Sequence, residues 1–381
     1  MSPPVHILHL HSTFSLGGKE ARAVRLMNAF GDRARHTIVS GMPDQLGARD
    51  AIAPGIRYEI AQDPPSLTGR PSVARYEALA KFMRRFDLVL TYNWGAIDGV
   101  MARRVFSKGM PPLVHHEDGF NADEANGLKI ERNMYRRLAL AAAHALVVPS
   151  ETLEAIALRT WKQPPDRIRR VVNGIDTALY AGKPDPRAIP GFRRRPGEVV
   201  IGTLAGLREV KDLPALVRAV GGVSARVRLV IVGEGPERER ILDTAEAMGM
   251  ADRVHLPGFL PDPYRYLGLF DILALSSKSE QFPISVVEGM AAGLPIVAPD
   301  VGDIKRMVSD GNAGYIMQRG EVVQLRDALQ VLAACEPASR AFVGAQNRAK
   351  AVTEFDERTM IAHYVALYEE AMGRPGTLAE S

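Results

Sequence analysis

Short β-branched and leucine-rich runs recur through the first half of the chain, at Val5 to Leu10, Thr37 to Ser40, Leu88 to Thr91, Leu113 to His115 and Ala145 to Val148. Helical patterns lie between them. From Val73 to Arg85 the apolar residues Val73, Tyr76, Leu79, Ala80 and Met83 fall at three- and four-residue spacing, while Arg75, Lys81, Arg84 and Arg85 take the remaining surface. Strands alternating with helices predict a parallel sheet covered by helices. The second half repeats the arrangement, with strands predicted at Val199 to Leu204, Arg228 to Val232, Val254 to Leu256, Ile272 to Leu275 and Pro295 to Ala298. Ala181 to Gly197 is rich in proline and glycine and carries the triplet Arg193, Arg194 and Arg195, so it sustains neither helix nor central strand and reads as the boundary loop. Past Ala351 the pattern is helical to Met372, before a Gly-Arg-Pro-Gly tail expected to fray.

A chain of 381 residues exceeds what one hydrophobic core usually serves, so two α/β domains with a cleft are expected. We place them at residues 1–178 and 179–357, with residues 358–381 a helix and tail packing back on the N-terminal domain. Hydrophobic residues make up 46% and charged residues 24%, which excludes a largely disordered or collagen-like chain. No apolar run is long enough to span a membrane, and Met1 to Leu10 lacks the layout of a secretory signal. Cys335 is the single cysteine, so neither an internal disulfide nor a zinc cage is expected, and a reducing cytoplasm is the simplest location. The net charge of +4 is too small for a nucleic-acid binder. Arginines bunch at Arg132, Arg136 and Arg137 and at Arg167, Arg169 and Arg170, either as solvated surface or as contacts to anionic head groups on the inner face of a membrane.

In open parallel sheets ligands gather beyond the C-terminal strand ends. Four such loops carry candidate chemistry. After the first strand comes His11-Ser12-Thr13-Phe14-Ser15-Leu16-Gly17-Gly18-Lys19-Glu20, where Gly17 and Gly18 can expose amides to a phosphate or sugar at a helix start. A glycine pair is also an ordinary strand-to-helix turn. His115-His116-Glu117-Asp118-Gly119-Phe120-Asn121 clusters ionisable groups at a strand end, suited to hydrogen-bonding a sugar or steadying charge. Adjacent residues of an extended chain point to opposite faces, so the two histidines are poor co-ligands of a metal.

The third loop holds Arg208 and Lys211, three apart ahead of a helix predicted at Leu213 to Val220. On one helical turn they would grip a pyrophosphate together, and as a basic pair at a helix start they oppose the helix dipole without such a ligand. The fourth runs from Ser276 to Pro295. Pro283 suits a first helical turn, Ile284 and Ser285 present unpaired amides, Glu280 precedes the helix and Glu288 projects from its next turn. A carboxylate on each side of an amide cluster suits a nucleotide sugar, Glu288 for the ribose and Glu280 for the hexose.

These motifs resemble the retaining glycosyltransferases of family four, whose GT-B fold has two facing Rossmann-like domains with a central cleft. The likeness rests on Gly17 to Glu20, Pro149-Ser150, Asn173-Gly174-Ile175-Asp176, the Arg208 and Lys211 pair, Gly233-Glu234-Gly235-Pro236, and Glu280 to Glu288 followed by Gly293-Leu294-Pro295. It spans nearly the whole chain. The resemblance implies that Arg208 and Lys211 hold the donor diphosphate, Glu280 meets the transferred sugar, Glu288 the ribose, and Gly17, Gly18, Phe282, Ile284 and Ser285 complete the donor site. It implies that His115 is the active-site histidine, with His116 leaving the register open, and that His116, Glu117 and Asn121 serve the acceptor. Gly302-Asp303 and Arg306 stand where the family more often has a glycine pair and a glutamate. The loop from His115 to Gly119 also resembles enzymes of exopolysaccharide assembly.

No two aspartates lie two positions apart, so the Asp-x-Asp pair of many metal-dependent transferases is missing from the sequence. Fixed cations and a helix N-terminus would then carry the leaving diphosphate. The expected activity is retaining, metal-independent transfer of a sugar from a nucleotide diphosphate, UDP before GDP, to a hydroxyl of a glycan or lipid-linked acceptor, with no cofactor. The alternatives are a nucleotide-sugar epimerase of the same fold and a non-catalytic nucleotide-sugar-binding protein. A nicotinamide-dependent oxidoreductase is disfavoured because Arg238 stands where the dinucleotide fingerprint has its third glycine.

Overall fold

The computed structural model describes residues 3–120, 124, 127–224 and 226–379. The chain divides into unit 1, Met1–Asn173 with Thr359–Ser381, and unit 2, Gly174–Arg358. Unit 1 opens with β1 (Val5–His11), α1 (Gly18–Phe30), β2 (Ala34–Ser40), β3 (Arg57–Ile60), α2 (Val73–Met83) and β4 (Leu88–Tyr92). It continues with α3 (Ile97–Val105), β5 (Leu113–His116), α4 (Ile130–Leu140), β6 (Ala145–Val148), α5 (Glu151–Arg159) and β7 (Ile168–Arg170). Its strands pair in parallel in the order β3-β2-β1-β4-β5-β6-β7.

Unit 2 contains β8 (Val199–Leu204), α6 (Leu213–Gly221), β9 (Val227–Val232), α7 (Arg238–Ala247), β10 (Val254–Gly258) and β11 (Ile272–Ala274). It then runs through α8 (Ile284–Ala291), β12 (Ile296–Pro299), α9 (Ile304–Met307), β13 (Ile316–Met317), α10 (Val322–Ala334) and α11 (Pro337–Glu354). Its parallel order is β10-β9-β8-β11-β12-β13. Both sheets are therefore doubly wound, and strand order reverses between β1 and β4 in one and between β8 and β11 in the other. Loops leaving the C-terminal ends of those pairs border a crevice where such sheets bind ligands.

The final helix α12 (Glu357–Met372) begins at the end of unit 2 and continues in unit 1. Met360, Tyr364, Leu367 and Tyr368 share a core with β1, β4, β5 and α1. The opposite face of that sheet is covered by α2, α3 and α4, through Tyr76, Leu79, Met83, Val100 and Ala139. In unit 2, Leu213, Leu216, Val217 and Val220 of α6 and Leu325 and Leu329 of α10 bury the β8–β9 surface.

Two boundary expectations are corrected. The division falls at Asn173 and Gly174, ahead of residue 178, and the proline-rich Ala181–Gly197 lies inside unit 2. Its composition bars helix and strand but not packing: Ile189 and Phe192 are buried, Asp185 N–H bonds Arg265 O at 2.8 Å, and Arg194 pairs with Asp271 at 2.7 Å. The crossing lies earlier because Ile175 exchanges backbone hydrogen bonds with Phe355 and Glu357, at 3.0 and 2.9 Å. Gly174 permits that approach, since a Cβ there would stand 2.9 Å from Asp356 O.

Candidate active site

In unit 2 the chain leaves β8 through Ala205–Arg208 and makes a 3-10 turn at Glu209–Lys211 before α6. Arg208 is extended rather than helical, at φ −122° and ψ 153°, so the predicted shared helical turn is corrected. Asp212 adopts the left-handed conformation, φ 45° and ψ 44°, and turns the chain into α6. The loop after β9 supports this one from behind. Leu207 N–H bonds Glu234 O at 2.9 Å and Glu237 N–H bonds Leu207 O at 3.0 Å. Gly233 and Gly235 have positive φ, and a Cβ on them would stand 1.9 Å from Ala205 O and 2.4 Å from Leu207 O. The Gly-Glu-Gly motif thus serves loop-to-loop packing under Arg208.

The loop after β11 meets the same region, because β8 and β11 are neighbours with Ile201 opposite Ile272. Lys278 N–H bonds Val210 O and Ser276 Oγ bonds Lys211 O, both at 2.8 Å. Glu280 Oε1 then accepts from Lys211 Nζ at 2.5 Å and from Ser277 Oγ at 2.7 Å. The residues read separately as phosphate grip and sugar contact are therefore one bonded cluster. Arg208, three residues ahead of Lys211 on the same loop, is exposed and makes no ion pair among the described residues. The 280–281 backbone is held by Asp303 N–H on Gln281 O at 3.0 Å. Gly302, at φ +61°, allows this, since a Cβ would stand 2.5 Å from Glu280 O and 2.6 Å from Gln281 O. That is the structural use of Gly302-Asp303.

Pro283 is the residue preceding α8 rather than part of its first turn, with φ −69° and ψ 118°. Ile284 and Ser285 begin the helix, whose leading amides have no intrahelical acceptor. Phe282 is buried and its ring packs edge-on against Phe355 at 5.4 Å, so what it offers a ligand is backbone, not an aromatic face. Glu288, on the second turn of α8, accepts from Tyr180 Oη at 3.3 Å.

In unit 1, Gly17 caps α1 and Gly18 begins it, both exposed and neither with a positive φ. Lys19 pairs with Glu20, whose carboxyl burial pushes up in pKa. The histidines obey strand alternation, but the expectation that they and Glu117 present side chains to substrate is corrected. His115 is fully buried, with Nδ1 bonded to Thr91 Oγ1 at 2.8 Å and Nε2 3.6 Å from Glu117 Oε2. Glu117 is equally buried, 3.4 Å from the Arg136 guanidinium, which lies among the rings of Trp94, Phe120 and Trp161. His116 faces the other side, bonded to Tyr368 Oη at 2.8 Å and Thr91 O at 3.2 Å. Burial, then the neighbouring Arg22, lowers its pKa well below the usual histidine value. Asn121 lies outside the described residues.

Sequence reasoning passed over Asp118. Its carboxylate is 13% exposed and takes both terminal nitrogens of the buried Arg22. Arg22 Nη1 also bonds Asn173 Oδ1 at 2.9 Å, and Asp118 N–H bonds Asn93 Oδ1 at 2.7 Å. The signal available was the acidic residue that ends the same ionisable run, one step beyond the strand.

Two doubly wound sheets of this kind define the GT-B glycosyltransferase architecture. Solved structures agree in fold: Anabaena HepE in complex with UDP and glucose has a TM-score of 0.79 at 19% identity, covering 96% of this chain and all of that one. Sucrose-phosphate synthase from Thermosynechococcus elongatus gives 0.79 at 20%, covering 97% and 99%. Residues 5–179 match the family described as Glycosyltransferase Family 4, and residues 198–334 match Glycosyl transferases group 1. The chain belongs to the family 4-type glycosyltransferases. Relatives include N-acetyl-alpha-D-glucosaminyl L-malate synthase of Bacillus anthracis, 25% identical over 94% of this chain and 95% of that protein. The 2-deoxystreptamine N-acetyl-D-glucosaminyltransferase of Streptomyces fradiae is 26% identical over 82% of each.

Proposed function

We propose that this glycosyltransferase moves a sugar from a UDP-sugar to a hydroxyl of a glycan or lipid-linked acceptor, with retention and without a metal ion. The Lys211–Glu280–Ser277 cluster, at the switch point of unit 2 and just ahead of α8, carries this reading. As the anomeric carbon separates from the diphosphate, negative charge grows on the leaving oxygen. Arg208, Lys211 and the leading amides of α8 are fixed positive groups of the kind that stabilise such charge without reorganising. Glu288 is available to the ribose beside Tyr180, and Glu280 to the sugar hydroxyls.

Retention would follow from a leaving-phosphate oxygen taking the acceptor's proton on the face where the new bond forms. Glu280 already spends one oxygen on Lys211 and Ser277, which favours a hydrogen-bonding role over attack on the anomeric carbon. HepE in complex with UDP-glucose supports UDP as the nucleotide, and the relatives' names, which pair an N-acetylglucosaminyl group with L-malate and with 2-deoxystreptamine, support sugar transfer to an acceptor. The test is transfer from a panel of UDP- and GDP-sugars to glycan and lipid-linked acceptors, with and without EDTA, and proton NMR of the product's anomeric centre. The expected product is a new glycoside of unchanged anomeric configuration, formed equally in EDTA. Inversion, loss of activity in EDTA restored by a divalent ion, or conversion of the donor sugar without an acceptor would overturn the respective part.

A further inference from the structure

Along α4, Ile130, Met134 and Leu138 are 73%, 63% and 50% exposed. They stand at i, i+4 and i+8, so they share one face over about 12 Å of helix. The other face is committed: Arg136, Ala139 and Leu140 are buried and Tyr135 bonds Tyr76 Oη. Single exposed apolar residues need no explanation, but three in register on a helix mark an interaction surface.

The charge around this stripe selects its occupant. Arg137 is exposed on the same face, between Met134 and Leu138 in sequence. At the C-terminal end of α4, Arg167 bonds Ala141 O, and Arg103 of α3 bonds Ala142 O at 2.9 Å. The end of α3 adds the exposed Arg104 and Lys108. Among the described residues, the exposed acids on α4 and beside Arg167 are Glu131 and Asp166, so cations predominate there. Packing this face on a second copy would set Arg137 and Arg167 against their own equivalents, which disfavours self-association.

We propose that the exposed face of α4 docks unit 1 on an anionic lipid surface, with Ile130, Met134 and Leu138 entering the interface and the basic rim meeting lipid phosphates. Apolar side chains flanked by Lys and Arg are the pattern of helices that lie in a membrane surface, the long basic stems reaching back to the head groups. The face belongs to unit 1, and its binding to lipid is independent of donor or acceptor identity.

Co-sedimentation of the full chain with vesicles tests it, using phosphatidylcholine alone or mixed with phosphatidylglycerol, at low and high salt. The chain should bind the mixed vesicles, and high salt should weaken that binding. The double variant Ile130→Asp, Met134→Asp should lose about tenfold or more, and Arg137→Glu about fivefold or more, since each basic residue near such a surface accounts for roughly a fivefold affinity. Phe342→Asp, at a 67% exposed residue of unit 2, should bind as the parent does. Circular dichroism melts show whether the variants remain folded, and Arg137→Glu, which removes no apolar contact, decides if the double variant does not. Absence of binding, equal binding to neutral vesicles, or undiminished binding by folded variants overturns the proposal. So does a concentration-dependent dimer that Arg137→Glu abolishes while vesicle binding persists, because the face then belongs to a second copy.

Discussion

Acidification should unfold unit 1 at a pH where most carboxylates are still ionised, because four histidines are buried as neutral rings in one layer. His9 Nε2 shares a hydrogen bond with His36 Nδ1 at 3.0 Å, and His9 Nδ1 meets Tyr92 Oη at 3.2 Å. His11 stacks on Tyr92 at 4.0 Å, and Tyr92 on His116 at 4.7 Å, across the adjacent strands β1, β4 and β5. Burial, followed by neighbouring cationic or imidazole groups, lowers the pKa of His9, His11 and His116 well below the usual value and that of His36 to about 3. The unfolded chain takes up these protons near pH 6.5, so it binds more protons than the folded chain below that pH. Stability is therefore complete above about pH 6.5 and falls as pH drops below it.

Each such histidine costs about 1.4 kcal/mol per pH unit once the unfolded form is protonated. Four together remove roughly 5 kcal/mol per unit, comparable with the total stability of an ordinary domain at about 5–15 kcal/mol. Glu20 works in the opposite sense, since burial raises its carboxyl, but it is one group against four. Both tryptophans, Trp94 and Trp161, lie in unit 1, so urea titrations followed by fluorescence report that unit. The midpoint should drop steeply between pH 7 and pH 5.5. His11→Phe removes one titrating ring, so the slope should become shallower by about one proton, and neither ring nitrogen of His11 has a hydrogen-bond partner to lose among the described residues. A midpoint independent of pH over that range would refute the reasoning.

Other perturbations test separate contacts. Tyr368→Phe strips His116 Nε2 of its partner inside the core and should lower stability by about 1–3 kcal/mol in the same urea titration at neutral pH. Asp118→Ala leaves the buried Arg22 without its carboxylate and should cost about 3–5 kcal/mol, measured by thermal unfolding, whereas a neutral outcome would mean Asn173 suffices. Gly302→Ala puts a Cβ against two carbonyl oxygens, so it should displace Glu280 and cut transfer at least tenfold while circular dichroism shows unit 2 still folded. Ser277→Ala removes one of two donors to Glu280 and should lower kcat several-fold with little change in stability.

The central strands of both sheets were legible because they are buried on both faces and read as apolar runs. Of the edge strands, β10 was legible at Val254 to Leu256, but the other three were not. β3 reads Arg-Tyr-Glu-Ile and is largely exposed, β7 is Ile-Arg-Arg, and β13 has two residues, so none carries an apolar signature. The Arg208, Lys211 and Glu280 loops were legible from glycine, proline and charge spacing, but their bonding to one another depends on β8 and β11 being neighbours, which spacing does not encode. His115 and His116 attracted attention as ionisable groups at a strand end. Strand alternation turned both inward, and Asp118, where the chain leaves the sheet, is the group that reaches toward the surface.

The proposed chemistry requires Arg208 and Lys211 to hold a nucleotide diphosphate. Titration calorimetry of UDP into the parent chain and into Lys211→Ala and Arg208→Ala measures this directly. Charge-assisted hydrogen bonds of about 1.5–3 kcal/mol correspond to losses of roughly ten- to a hundredfold for each substitution. Parent binding with that loss in both variants is the expected result, and UDP affinity unchanged in both would contradict the account.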